Sequence, residues 1–335
     1  YFIMAIPSAW VLSKTGYKKG ISLGLLVMSV GTFLFIPAAF DRNYLLFLTG
    51  LFIQGMGLAI LQTAANPYVT ILGPRNSAAK RMSVMGICNG IAGVSAPLIL
   101  GAIMLSDADH ISDTIQSLDL AAKDAVLDQL AHKVIVPYLV MMCVLLLLAV
   151  MVFFSSLPDL NSEPDSDETD SIVLPLRKSI LQYPHFIWGA VTLFFYVGVE
   201  VIAIDTIISY ASSIGIRLST GKFFSSLTLV NMLLGYIAGI LLIPKYLSQE
   251  KALKICAVAG ICFSLAALVT GGVTSIVFIA FLGLANSLIW PSMWPLATNG
   301  LGTHMKKGSA LMIMAIGGGA VIPLLYGKLA DTYNA

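Results

Sequence analysis

Two carboxylic acids lie inside a long apolar segment at about 186–212. Of the seventeen acidic residues in the chain, only Glu200 and Asp205 fall within such a segment. An ionisable side chain at the centre of a bilayer costs roughly 2.5–3.5 kcal/mol and persists mainly where it is used. Both are therefore candidates for coupling to H+ or Na+, with Glu200 favoured, and a packing role as a protonated or hydrogen-bonded carboxyl is the alternative for each. Residues five apart on a helix are rotated by about 140°, so the two acids point in different directions.

Side-chain amides inside other apolar segments suit hydrogen bonding to the hydroxyl groups of a polar solute. Gln62 and Asn66 are four residues apart and share one helix face, and an amide both donates and accepts. Pro67 follows directly and frees a backbone carbonyl one turn earlier. Bonding between helices is the alternative use of such amides. The same two interpretations apply to Asn89, Asn231 and Asn286.

Two tryptophans four residues apart, Trp290 and Trp294, offer flat apolar rings to the C–H face of a solute. Aromatic residues also gather at membrane interfaces, which is the alternative. Trp290 lies deeper in its segment and is the candidate for binding.

The sequence contains no arrangement typical of an enzyme. There is no phosphate-binding loop, no Ser/His/Asp set and no metal-ligand spacing, and the four histidines stand at loops or segment ends. We therefore predict that the protein is not an enzyme and uses no cofactor, so that any energy must come from an ion gradient. A net charge of +2 does not mark a nucleic-acid-binding protein.

The elements that carry these residues are predicted to be transmembrane helices. The chain is 58% hydrophobic and 11% charged, with a mean hydropathy of +0.89, whereas soluble domains carry roughly 25% charged residues. Apolar segments of about 20 residues are long enough to cross the hydrocarbon core. Ten are predicted, at about 1–13, 21–40, 44–72, 82–105, 134–157, 186–212, 223–243, 253–271, 275–300 and 308–330. Alternate connections hold thirteen of the nineteen Lys and Arg residues, so that side is predicted to be cytoplasmic.

A repeat at an offset of 226 residues indicates two similar halves. Gly57-Leu-Ala recurs as Gly283-Leu-Ala, and Gly93-x-x-x-Pro-Leu-x-x-Gly recurs from Gly319. Both pairs lie six segments apart, so a six-helix unit is used twice, with an acidic linker at 158–183 between halves 1–157 and 184–335. This is the plan of major facilitator transporters, on which the segments are helices 2–11 of twelve. The chain begins within an apolar run, so we expect helices 1 and 12 to lie outside it.

The stretch from Gly50 through Gln62-Thr-Ala-Ala-Asn66-Pro67 to Pro74 resembles the fucose permease and glucose/galactose transporter family of the major facilitator superfamily. Weaker similarity covers nearly the whole chain, including Phe194-Phe-Tyr-Val-Gly-Val-Glu200. The resemblance implies import of a hexose with a cation. It also implies that Gln62 and Asn89 hydrogen-bond the sugar. Fucose permease has a carboxylate where this chain has Gln62, so the glutamine and Glu200 look more like the glucose/galactose branch, with an N-acetylglucosamine branch also related.

These observations predict a monomeric sugar symporter of a bacterial inner membrane, surrounded by lipid and working by alternating access. Its partners would be the sugar and a coupling ion, H+ or Na+, and no nucleic acid. Glu200 would bind the ion or bond the sugar directly. A passive facilitator, an exporter of a small polar solute and a non-transporting sugar sensor are the alternatives.

Overall fold

The computed structural model describes residues 2–104, 132–158, 179–216 and 218–333. Within these ranges the chain is helical and contains no β-strand. The predicted loop at 106–133 and the acidic linker at 158–183 lie, apart from their flanks, outside the described residues.

Twelve α-helices occupy the described ranges. Their bounds are α1 Phe2–Phe40, α2 Tyr44–Ile71, α3 Ala78–Met104, α4 Ile135–Phe154, α5 Pro184–Val201, α6 Ile207–Ser213, α7 Leu218–Leu242, α8 Gln249–Val269, α9 Gly272–Ser287, α10 Ile289–Ala297, α11 Met305–Ala315 and α12 Gly318–Tyr333. A π-helix, Ile202–Thr206, joins α5 to α6, and 3₁₀ turns lie at Arg75–Ser77, Ile180–Gln182 and Gly302–His304.

Eight stretches of the described chain are helical, long and apolar enough to cross a membrane. They correspond to nine of the ten predicted segments, because the α1 range includes the first two. The tenth, predicted at 82–105, forms α3 but is not among the eight. The helix α4 shows why lipid is needed. The mean hydropathy of its most apolar stretch is 2.9, yet only 6% of that stretch is buried within the protein. Apolar side chains in that number are stable only against hydrocarbon.

The α1 range spans residues 14–20, which the apolar pattern predicts to be a connection, and it is kinked there. Its regularity is interrupted at Gly16, whose φ of 76° and ψ of 177° are not helical. A side chain at this backbone conformation would be strained, so glycine is required there. The α1 range therefore consists of two helices joined at a kink, which lies within the connection predicted between the segments 1–13 and 21–40.

Contacts divide the chain into two compact units. Of the described residues, the first comprises 7–65, 92–104 and 132–158. The second comprises 2–6, 66–91, 179–216 and 218–333. These units are defined by contact rather than by the repeat, and the predicted boundaries at 157 and 184 stay a prediction.

Glycines hold the first unit together by letting α1 and α2 approach backbone to backbone. A Cβ on Gly24 would lie 2.8 Å from the Leu61 nitrogen, and one on Gly31 would lie 2.6 Å from the Gln54 nitrogen. Between the same helices, Gln54 Nε2 donates to Thr32 Oγ1 at 3.2 Å. Without a hydrophobic driving force between helices in lipid, such close packing is what stabilises their association.

The second unit has a larger buried core in which α5, α10 and α11 meet. Its largest fully buried side chain is Trp294, packed with Phe186, Leu193 and Met312. The start of α3 belongs to this unit and packs against α7: a Cβ on Gly86 would lie 2.6 Å from the Tyr236 ring. The repeated glycine Gly283 packs α9 against the Thr228 carbonyl of α7.

Candidate functional site

Glu200 is the penultimate residue of α5, immediately before the chain changes from α- to π-helix. A π-helix widens the turn and leaves backbone groups in need of partners, and such segments are frequent at functional sites. Here the Ser225 hydroxyl of α7 donates to the Ile204 carbonyl at 2.9 Å, and the Thr206 hydroxyl donates to the Ile202 carbonyl at 2.7 Å. The widened segment places Asp205 at the surface, away from the direction of Glu200. The ion-coupling role predicted for Asp205 stays a prediction.

Two tyrosines face Glu200. Tyr196 lies one turn earlier on the same helix face, which places its hydroxyl beside the Glu200 carboxyl. Tyr236 of α7 also interacts with that carboxyl. Both tyrosines are buried, with 6% of each side chain exposed. The carboxyl therefore lies among phenols rather than opposite a cation.

The Tyr196 hydroxyl also reaches a break between two helices. It donates to the backbone carbonyl of Asn286 at 3.1 Å. The helix α9 ends one residue later, at Ser287, and Leu288, with φ −96° and ψ 1°, separates it from α10. At this point the Asn286 carbonyl also accepts from the Leu288 amide, and Cys256 of α8 lies in the same buried cluster as Leu288. We call this interruption the α9–α10 break.

The side chain of Asn286 has an unused donor. Asn286 is 5% exposed, and its Nδ2 is buried without a hydrogen-bond partner. A buried unpartnered donor costs about 1–3 kcal/mol, so its presence calls for an explanation. A bound solute that accepts this hydrogen bond would supply one.

The two tryptophans lie just past the break. Trp290 is half-buried and stacks on Trp294, with ring centroids 5.4 Å apart and planes inclined by 27°. Trp294 is 1% exposed and belongs to the core of the second unit. Trp294 thus fixes the orientation of Trp290, whose remaining free surface fits the predicted stacking role.

The other predicted asparagines differ in what their side chains do. Asn231 of α7 is buried and its Nδ2 donates to the Ala280 carbonyl of α9 at 3.1 Å, which is the bonding between helices that the sequence left open. Asn66 is buried at 5% exposure, whereas Asn89 is exposed on α3. Their predicted roles toward a sugar stay predictions.

In the first unit, Gln62 carries an unused acceptor. It lies on α2, is half-buried, and its Oε1 is buried without a hydrogen-bond partner. Each unit therefore presents one buried amide atom without a partner at a residue predicted to bind solute: an acceptor on Gln62 and a donor on Asn286.

A second polar cluster, which we call the basic turn, comprises residues 72–81 and Gln249. The Arg81 guanidinium makes five hydrogen bonds, four to backbone carbonyls at and beyond the end of α2 and one to a hydroxyl, namely to Val69, Thr70, Gly73, Pro74 and Ser77. Helix C-termini leave carbonyls unpaired and favour a nearby cation. Gln249, at the start of α8, accepts from the Ala79 amide and donates to the Arg75 carbonyl, each at 2.9 Å.

Sequence reasoning identified Glu200 and Asn286 but not Tyr196, which links them. The signal for Tyr196 was its spacing of four residues from Glu200, which puts both on one helix face. Its second contact, to a backbone carbonyl ninety residues away, leaves no mark in the sequence. Across the described residues, no three His, Cys, Asp or Glu side chains form a group that could hold a metal ion.

Comparison with known proteins agrees with this architecture. The model of the Major Facilitator Superfamily matches residues 1–331. A glucose/galactose transporter of Brucella abortus is 33% identical over 340 residues, covering 99% of this chain and 76% of that protein. An L-fucose-proton symporter of Escherichia coli is 29% identical over 334 residues, with coverage of 99% and 76%. The crystal structure of the transporter FucP in the outward conformation superposes with a TM-score of 0.87 at 28% identity, covering 99% of this chain and 81% of that one.

The fold and the apolar helices define an integral membrane transporter, helical throughout the elements that the structure describes, and not an enzyme. The chain belongs to the major facilitator superfamily.

Proposed function

We propose that this protein imports a hexose, of the glucose/galactose type or N-acetylglucosamine, together with H+ or Na+ across a bacterial inner membrane. The observation that carries the proposal is the pair of unpartnered buried amide atoms, Gln62 Oε1 and Asn286 Nδ2. A sugar hydroxyl both donates and accepts, so one class of ligand can satisfy an acceptor and a donor alike. The similarity to transporters named for glucose, galactose and fucose supports the same class of substrate.

The proposed roles follow from chemistry. Gln62, Asn89 and Asn286 hydrogen-bond the sugar, and Trp290 contacts its C–H face. Asn231, whose Nδ2 donates to the Ala280 carbonyl, serves mainly packing between helices, and Asn66, on the same helix face as Gln62, is a further candidate to bond the sugar. Glu200 takes up the coupling ion, because an ionised carboxylate within an apolar helix is costly and a bound cation neutralises its charge. Alternating access then exposes the loaded site to one side of the membrane at a time.

The test is uptake of labelled sugars by proteoliposomes containing the purified protein. A panel of glucose, galactose, N-acetylglucosamine and fucose is offered under a proton gradient and, separately, under a sodium gradient. We expect concentrative uptake of one of the first three under one of the gradients. Counterflow without accumulation under either gradient would identify a passive facilitator, and saturable binding without any flux would identify a sensor. Either outcome overturns the proposed symport.

A further inference from the structure

The Tyr196 hydroxyl stands between two acceptors but carries one proton. One acceptor is the Asn286 carbonyl at the α9–α10 break, 3.1 Å away, and the other is the Glu200 carboxyl one turn along α5. A phenol donates one hydrogen bond and can accept another. The hydroxyl therefore bonds both groups at once only when one of them supplies a proton of its own.

A backbone carbonyl has no proton to give, so the choice depends on Glu200. When Glu200 is protonated, its O–H donates to the Tyr196 oxygen and the Tyr196 O–H donates to Asn286. When Glu200 is ionised, the carboxylate competes for the Tyr196 proton, and a hydrogen bond to an ionised acceptor is roughly twice as strong as one to a neutral acceptor. The hydroxyl then turns to Glu200 and the Asn286 carbonyl loses this donor.

We propose that Tyr196 is a positioning residue that passes the protonation state of Glu200 to the backbone of the α9–α10 break. The inference rests on the proposed function and narrows it, since it makes the coupling ion a proton. The break is where such a change of hydrogen bonding has an effect, because Asn286 is the penultimate residue of α9 and Trp290 lies two residues beyond Leu288. Losing or gaining a hydrogen bond at the Asn286 carbonyl thus shifts two side chains that are predicted to bind the sugar, those of Asn286 and Trp290.

The other ionisable groups around this contact come from two neighbouring helices. Tyr236 of α7 lies near both Tyr196 and Glu200, and Cys256 of α8 lies near Tyr196 and in one buried cluster with Tyr236 and Leu288. Both are neutral near pH 7 and ionise only at higher pH. Glu200 is therefore the group in this cluster whose charge a proton gradient can change.

The experiment uses the tryptophans beside the break as reporters. The chain has four tryptophans, and changing Trp10 and Trp188 to Phe leaves only Trp290 and Trp294. In purified protein of this background we expect a pH-dependent change in fluorescence that Glu200→Gln abolishes. Tyr196→Phe keeps the ring and removes the hydroxyl, and we expect it to abolish the change as well. Tyr210→Phe is the matched control, since it removes a phenol bond to Ser275 elsewhere in the unit, and should leave the change intact.

Transport supplies the second readout. With Tyr196→Phe, sugar counterflow should persist, while the proton-driven accumulation ratio falls about tenfold, as expected from one lost hydrogen bond to a charged group. A Tyr196→Phe protein that keeps the wild-type fluorescence titration and accumulation overturns the inference. So does a fluorescence change that follows sodium at constant pH and not pH itself.

Failure of the inference and failure of the proposed function are distinguishable. If no sugar in the panel is carried, but the fluorescence titration is present and is lost in both Glu200→Gln and Tyr196→Phe, the relay stands and hexose transport does not. If a hexose is accumulated and Tyr196→Phe behaves as wild type, hexose transport stands and the relay does not. A size-exclusion profile matching wild type shows that each variant is folded.

Discussion

Two polar clusters of the second unit use their hydrogen-bonding groups in opposite ways. In the basic turn, Arg81 makes five bonds and both ends of the Gln249 amide are bonded to backbone. At the α9–α10 break, the one proton of the Tyr196 hydroxyl is donated to the Asn286 carbonyl while the Glu200 carboxyl lies beside it, and a buried asparagine donor has no partner. Saturated polar groups hold one geometry, whereas unsaturated ones permit a change of partner. The basic turn therefore stabilises the structure, whereas the α9–α10 break can bind a ligand and change its hydrogen bonds.

The largest expected effect is at Glu200. Glu200→Gln keeps the size of the side chain but removes its charge change, so coupling between the ion and the sugar should vanish. Gradient-driven accumulation of hexose in proteoliposomes should be lost completely, while counterflow continues. Glu250→Gln, which neutralises an exposed acid at the start of α8, is the control and should accumulate sugar as wild type does. Unchanged accumulation by Glu200→Gln would contradict the view that the α9–α10 break, unlike the basic turn, responds to the coupling ion.

Next in size is the loss of the guanidinium from the basic turn. Arg81→Ala leaves the carbonyls at the end of α2 without their donor, and we expect it to lower the free energy of unfolding by about 2–3 kcal/mol. Thermal unfolding in detergent measures this as a lower midpoint. Lys80→Ala, at an exposed neighbouring position, should change the midpoint little. Equal unfolding midpoints for the two variants would show that Arg81 in the basic turn does not stabilise the fold.

The two buried asparagines Asn231 and Asn286 provide a matched pair. Asn231→Leu removes a bond to the Ala280 carbonyl and should destabilise the protein by about 1 kcal/mol. Asn286→Leu removes a donor that has no partner, so we expect little loss of stability or a small gain, together with weaker sugar binding. Thermal unfolding and sugar-dependent thermal stabilisation measure the two effects. The same stability loss in both variants would contradict the assignment of Asn286 as an open site.

The smallest effect is expected at Gln249. Gln249→Ala removes two hydrogen bonds to backbone from a half-exposed position, which should cost about 0.5 kcal/mol because water replaces them in part. The unfolding midpoint in detergent is again the measurement, with Gln182→Ala, an exposed glutamine of a 3₁₀ turn, as control. A fall in the midpoint as large as that of Arg81→Ala would mean that Gln249 stabilises the basic turn as much as the guanidinium does.

Hydropathy predicts the helices well, because the length of an apolar segment is set by the thickness of the bilayer. The segment predicted at 44–72 is the helix Tyr44–Ile71, and that at 134–157 is Ile135–Phe154. The interruptions are harder to predict. The predicted segments continue through Leu288 and through Ile202–Thr206, since a break or a π-turn changes backbone bonding without ending the apolar segment.

The candidate site was predictable only in part. Glu200, Gln62 and Asn286 are conspicuous because polar residues are costly in an apolar helix. Whether an amide is bonded to a neighbouring helix, as in Asn231, or left open, as in Asn286, depends on the position of a backbone carbonyl far away in sequence. Tyr196 was overlooked because tyrosine is common in membrane helices and its role depends on two partners at once.

The glycine contacts between α1 and α2 imply a particular pattern of mutational tolerance. At Gly24, Gly31, Gly50 and Gly57, even a methyl group would lie within 3 Å of atoms of the opposite helix. In a scan of all single substitutions, these four positions should therefore be among the least tolerant in the first unit, although none of them is predicted to touch sugar or ion. The lipid-facing leucines between them should accept almost any apolar residue. Intolerance to change, taken alone, would direct attention to the wrong part of this transporter.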